Sequence, residues 1–167
     1  SSAGYNTDNI VADPSRAIGP SHIIVPDLSI GNTVDSEEAG QPTADASGDD
    51  YVGNDDDGIT LGLFNAGSAS IVGVELINAT GLDATFYAFF DFNADGDFVD
   101  SGEVYTRVVT SAASQQAFNL TVDVPAAAVT TQQLGARFRL SSESNLGADG
   151  GALDGEVEDY LISVTPM

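Results

Sequence analysis

Apolar and polar residues alternate with a period of two through most of the chain beyond Gly58. Such alternation sends every second side chain to one face of an extended backbone and marks half-buried strands. It predicts strands near 58–64, 70–79, 83–92, 103–110, 116–124, 134–141 and 156–165. The pattern is clearest at Phe118, Leu120, Val122 and Val124, with Asn119, Thr121 and Asp123 facing the other way, as in a sheet with one wet face. Leu134, Ala136, Phe138 and Leu140 repeat the design and set Arg137 and Arg139 together on the opposite face, and Tyr160, Ile162 and Val164 do the same near the C-terminus. No segment sustains a helical period, although Pro125 to Val129 could close one helical turn.

Residues 1–57 read differently, as short apolar bursts between Pro, Gly, Asn and Asp, with Ile23-Ile24-Val25 and Leu28-Ser29-Ile30 as the expected short strands. Residues 141–154, SSESNLGADGGALD, form a long connection whose Gly and Ser content predicts mobility. Many short strands and no helix argue for an all-β fold, an antiparallel β-sandwich of immunoglobulin-like or jelly-roll-like type with long acidic loops. The 167 residues fit one domain, 1–167, with a loop-rich portion at 1–57 and the main strand-bearing portion at 58–167. No apolar stretch approaches the roughly 18 residues of a membrane span, so membrane insertion is not expected.

Charge narrows the choice of partners. Four Arg, no Lys and 26 carboxylates give a formal net charge of -22, which makes nucleic acid and anionic membranes poor partners. Nineteen of the carboxylates are Asp against seven Glu, and many of them lie in Gly- and Asn-rich stretches. Short carboxylates on turns suit hard cations, while adaptation to salt or plain solubility accounts for acidic surfaces in general. Cys is absent, which excludes disulfides and thiolate metal sites and leaves bound calcium as an alternative staple.

The segment richest in chemistry is DFNADGDFVDSGE, Asp91 to Glu103, directly after the apolar run 85–90. Asp91, Asn93, Asp95 and Gly96 match positions 1, 3, 5 and 6 of an EF-hand calcium loop, and Asp97 holds position 7. Position 12 is Gly102, so the closing carboxylate would be Glu103 or Asp100, and the flanks are strands where an EF-hand has helices. Five acidic groups within thirteen residues repel one another unless a cation intervenes, and Ca2+ is the expected cofactor.

Two further acidic clusters are weaker candidates for metal. Asp55 and Asp57, in Asp55-Asp56-Asp57-Gly58, follow Asp49-Asp50 and have the character of a solvated run. Glu156, Glu158 and Asp159 open the last strand; Glu156 and Glu158 share a face and match the spacing of Arg137 and Arg139, which suggests a cross-strand charge ladder, with a calcium role as the alternative. Catalysis finds little machinery. His22 is the single histidine, expected as a hydrogen-bonded structural residue, and no Ser stands in a G-x-S-x-G elbow. A paired-carboxylate hydrolase is the one enzymatic reading such a composition leaves, and the chain is read as a non-enzyme. Asn78-Ala79-Thr80 and Asn119-Leu120-Thr121 match the N-glycosylation pattern, a match frequent by chance.

GEVEDYLISV at 155–164 resembles the signature of the GEVED domains of bacterial secreted and surface proteins. The DFNADGDFVDSGE loop is similar to that family's aspartate-rich segment, and LGARFRLS at 134–141 to its Arg-containing strand. SHIIVPDLSIGNTVDSEEAGQPTADASGDD at 21–50 and NDDDGI at 54–59 resemble the stretch often found ahead of the domain. The resemblance implies a β-sandwich module of large exported proteins, with calcium at the Asp-rich loop and no known activity. The expectation is therefore an extracellular, calcium-stabilised structural or adhesive module of a bacterial surface or biofilm-matrix protein. Its partners would be neighbouring domains or copies of itself, in a filament built by donating residues 1–20 as a strand. A calcium-dependent module for polysaccharide is the alternative, disfavoured by the absence of Trp.

Overall fold

The computed structural model describes residues 21–32 and 58–167. Every regular element among them is a strand: β1 (Ser21–His22), β2 (Leu28–Ile30), β3 (Ile59–Leu61), β4 (Phe64–Asn65), β5 (Ala69–Asn78), β6 (Ala84–Phe90), β7 (Val104–Val109), β8 (Gln116–Asp123), β9 (Leu134–Ser141), β10 (Gly151–Ala152), β11 (Glu156–Ile162) and β12 (Val164–Thr165). The seven strands expected from the alternation are all present. Two are interrupted, at Gly62-Leu63 between β3 and β4 and at Ser163 between β11 and β12, where β12 leaves β11 to pair parallel with β4. The expected strand at Ile23-Ile24-Val25 does not form: Ile23 and Ile24 are exposed, and Val25 makes only an isolated bridge to Leu28. Pro125 to Val129 closes a single turn through Ala128 N–H to Pro125 O, 3.0 Å, and goes no further.

Two antiparallel sheets face each other, as expected for a β-sandwich. In the first, β5 takes β8 on one side and β2 and β3, end to end, on the other. The second has the order β11-β9-β6-β7. Val72, Val74, Leu76 and Val122 from the first sheet meet Phe86, Phe90, Phe138 and Leu140 from the second in one buried cluster, as inward-facing residues of packed sheets do. The edge-to-face pair of Phe86 with Phe118 at 5.5 Å crosses between the sheets and favours this interdigitation, while Phe90 and Phe138, neighbours within the second sheet, meet edge-to-face at 5.8 Å.

The second sheet departs from the expected one-wet-face design, because β9 is buried along its whole length. Its outward face carries Arg137 and Arg139, and the 141–154 connection folds back over them. Arg139 donates to the carbonyls of Gly147 (2.7 Å), Asp149 (3.1 Å) and Gly150 (2.8 Å), and Arg137 to that of Ala148 (3.1 Å). Two guanidiniums thus satisfy backbone acceptors that a mobile loop would offer to water, so the connection is pinned where its composition suggested looseness. β6 is likewise apolar on both faces. Tyr87 and Phe89 point outward into a second, smaller core with Phe98, Leu146 and Ala148.

The predicted ladder between Arg137, Arg139 and Glu156, Glu158 does not form. The β9–β11 register sets Glu156 opposite Leu140 and Glu158 opposite Phe138, on the inward face, while Arg137 stands opposite Asp159 and Arg139 opposite Val157. Equal spacing on two strands cannot reveal which faces meet, and a one-residue offset in register exchanges them. Asn78 of the first glycosylation match is buried, with its amide donating to Leu82 O and Val109 O at 2.9 Å each, which makes it a structural residue.

Candidate metal centre

The Asp-rich loop leaves the second sheet at the end of β6 and returns as β7. Its base is closed by two backbone hydrogen bonds, Asp91 N–H to Gly135 O at 3.1 Å and Phe90 N–H to Glu103 O at 2.9 Å. Asp91 is fully buried, and its carboxylate accepts the N–H of Asp95 at 3.1 Å and of Gly96 at 3.0 Å, curling the chain around that side chain. The curl requires left-handed backbone at Ala94 (φ 60°) and Gly96 (φ 93°), a conformation that glycine adopts without steric cost.

Successive polar side chains continue the winding. Asn93 Oδ1 accepts the Asp95 N–H at 3.0 Å, Asp95 Oδ1 the Asp97 N–H at 3.1 Å, and Asp97 Oδ1 the Val99 N–H at 3.0 Å. Carboxylate oxygens of Asp95, Asp97 and Asp100 lie within 4.8 Å of one another, all exposed. The Asn93 amide nitrogen donates to Asp95 Oδ2 at 2.9 Å and to Asp100 Oδ2 at 2.5 Å, placing the one neutral donor of the group among its negative oxygens.

Glu103 closes the loop from inside. Its N–H reaches Asp100 O at 3.2 Å, and its Oε1 accepts the Phe92 N–H at 2.8 Å. The side chain is buried, with 2% of the residue exposed, and Oε2 has no hydrogen-bond partner among the described residues. Burial raises its pKa above the ordinary carboxylate range, and the Asp91 carboxylate pushes the same way, against the lowering effect of backbone N–H groups. A buried carboxylate with one oxygen unsatisfied beside a second buried carboxylate is costly unless a proton or a cation meets it.

The six residues expected from sequence, Asp91, Asn93, Asp95, Asp97, Asp100 and Glu103, are therefore brought into one loop, as an outer group of oxygens and an inner pair. This donor set of hard oxygens suits Ca2+ in chemistry and number. Glu156, Glu158 and Asp159 serve elsewhere. Glu156 accepts the Ile30 N–H at 2.5 Å and ties β11 to β2, Glu158 accepts the Tyr160 hydroxyl at 3.0 Å, and Asp159 pairs with Arg137. Asp55 and Asp57 lie outside the described residues.

Beside the loop is a polar and aromatic cluster that the sequence pattern did not single out. Phe98, 6% exposed, packs edge-on to Phe89 at 6.1 Å, and the Arg137 guanidinium lies 5.7 Å from its ring centre. Arg137 also pairs with Asp149 at 2.8 Å. His22 holds the neighbouring Arg139: its Nε2 accepts Arg139 Nε–H at 2.9 Å and its Nδ1 donates to Asp154 O at 2.7 Å, so the ring is neutral and structural, as expected. Desolvation, reinforced by the Arg139 charge, lowers the His22 pKa to about 4. The continuous apolar run at 85–90 was the available signal, because a strand apolar on both faces needs cover on both.

Two facing antiparallel sheets with an oxygen-rich loop between adjacent strands of one of them define a β-sandwich module. Residues 85–163, from β6 through β11, match the family model of the GEVED domain, the family that the sequence motifs resemble. The naming motif is Gly155 to Asp159. No curated protein matches the chain.

Proposed function

We propose that the chain is a calcium-stabilised structural or adhesive module of an exported bacterial surface or matrix protein. The observation that carries this reading is Glu103, buried beside Asp91 with one oxygen unpartnered, at the root of a loop whose rim presents Asp95, Asp97 and Asp100 together. Repulsion among these carboxylates opposes closure of the loop, and a divalent cation converts it to attraction. Asn93 fits the same role, since half a turn of its amide exchanges a donor for an acceptor oxygen. Bound calcium would then do for this cysteine-free chain what disulfides do for other exported domains.

The carbohydrate-binding alternative has weaker support. Phe118 lines a groove on the first sheet with Thr60, Glu75 and Asn119, but its ring turns against Phe86 with the Arg107 guanidinium 4.2 Å from its centre, an arrangement unlike a sugar platform. Self-assembly by donation of residues 1–20 concerns a segment outside the described residues. Isothermal titration of calcium into the chelator-treated protein, combined with thermal unfolding, tests the reading: a binding heat with a rising midpoint supports it, and absence of both overturns it.

A further inference from the structure

We infer that cation occupancy of the Asp-rich loop sets the order of the 142–154 connection, with Phe98 as the mechanical link between them. The inference rests on the calcium reading above and adds to it a second segment that responds to the ion.

Phe98 lies between Asp97 and Asp100, so the path of the rim determines where its ring goes. The ring occupies the outer face of the second sheet, packed on Phe89, which in turn stacks on Tyr87 at 6.1 Å. The Tyr87 hydroxyl donates to Glu143 O at 2.8 Å and accepts the Leu146 N–H at 3.3 Å. On the other side of Phe98, the Arg137 guanidinium carries Ala148 O and the Asp149 carboxylate. Phe98 thus contacts or adjoins both sets of groups that hold the connection.

The connection has little apolar anchorage of its own. Only Leu146 and Ala148 pack into the outer core, while Leu153 is 71% exposed. Its one regular element is β10, a two-residue strand paired with β1. A segment with so few buried apolar contacts belongs to the least stable part of a fold, and withdrawal of one large ring shifts its opening equilibrium. The two carboxylates flanking Phe98 belong to the crowded rim, so repulsion in the cation-free loop acts directly on the segment that carries the ring.

Hydrogen exchange read by mass spectrometry on the full chain, with calcium and with chelator, tests the coupling. At calcium about 100-fold above its dissociation constant, exchange across 142–154 should slow by at least about tenfold and by as much as about 100-fold. Phe98→Ala should retain a calcium binding heat by titration but lose this response, with 142–154 exchanging fast in both conditions. Phe98→Leu, which keeps apolar volume and guards against misfolding of the alanine variant, should give a reduced response. The inference is overturned if calcium binds the native chain and leaves 142–154 exchange unchanged, or if Phe98→Ala responds as the native chain does. Absence of any binding heat defeats the calcium reading and the inference with it, so the two failures are distinct.

Discussion

Arg137 and Asp159 stand opposite each other across the β9–β11 ladder, and the guanidinium grips the carboxylate with two hydrogen bonds, Nε–H to Oδ1 at 2.7 Å and Nη2–H to Oδ2 at 2.6 Å. The parallel geometry uses the rigid fork of arginine, which a lysine cannot reproduce. Arg137 is 1% exposed, so its charge depends on Asp159 and Asp149 for compensation. Arg137→Ala should therefore cost about 3–5 kcal/mol of unfolding free energy, mostly by stranding Asp159, and Arg137→Lys about 1.5–3 kcal/mol. Urea unfolding of both variants measures the order; equal losses would mean that the fork has no special value.

Gly155 opens the family's naming motif for a steric reason. Its backbone has φ of +100°, and a Cβ placed there would lie 1.7 Å from Leu140 O. Gly102 has a similar φ of +91° but open space around the same position. Gly102→Ala should cost only the conformational penalty, about 1–2 kcal/mol, whereas Gly155→Ala should exceed about 3 kcal/mol through displacement of β9 from β11. Comparable urea midpoints for the two variants would remove the steric explanation.

His22 should make the module acid-sensitive. Its folded pKa of about 4 lies below the ordinary 6.5, so as pH falls through 6.5 the unfolded chain takes up the proton first. The stabilising contribution is complete above pH 6.5 and declines until about pH 4, amounting to roughly 3 kcal/mol over that window. Burial of the ring is the main cause, and Arg139 adds to it: a protonated ring cannot accept from Arg139 Nε–H, and its charge would sit beside a guanidinium. His22→Gln should unfold with a smaller loss between pH 7 and pH 4 than the native chain. Parallel stability curves for the two would show that the ring does not titrate in this way.

Strand positions were legible because alternation acts locally, residue by residue, and the Asp-rich loop was legible because all of its candidate metal-binding residues come from thirteen consecutive residues. What the chain hides is contact between distant segments. Arg137 and Arg139 read as one side of a ladder because the spacing of Glu156 and Glu158 matches theirs, yet register turns those glutamates inward and brings Asp159 outward. The connection at 141–154 read as mobile from its Gly and Ser content, since the carbonyls that Arg137 and Arg139 bind carry no mark in the sequence. Phe98 carries no mark in the sequence that sets it apart from the acidic turn around it. Its partner Phe89 was visible only as part of a run too apolar for a strand with a wet face.

Glu103 offers a test in which one substitution acts with opposite signs. In the chelated protein its buried, unpartnered Oε2 and the adjacent Asp91 carboxylate make the ionised form unfavourable, so Glu103→Gln should raise the unfolding midpoint at neutral pH. With calcium present the same change removes an anionic oxygen from the loop, and the rise produced by the ion should shrink. For the native chain that rise should be about 2.7 kcal/mol at calcium 100-fold above its dissociation constant, or about 5–10 °C. Asp95→Ala should reduce the rise without the gain in chelator, because Asp95 is exposed at the rim. Thermal unfolding of the three proteins in calcium and in chelator separates the outcomes. If Glu103→Gln lowers the midpoint in both conditions, the carboxylate is a structural acceptor for the Phe92 N–H and has no part in holding an ion.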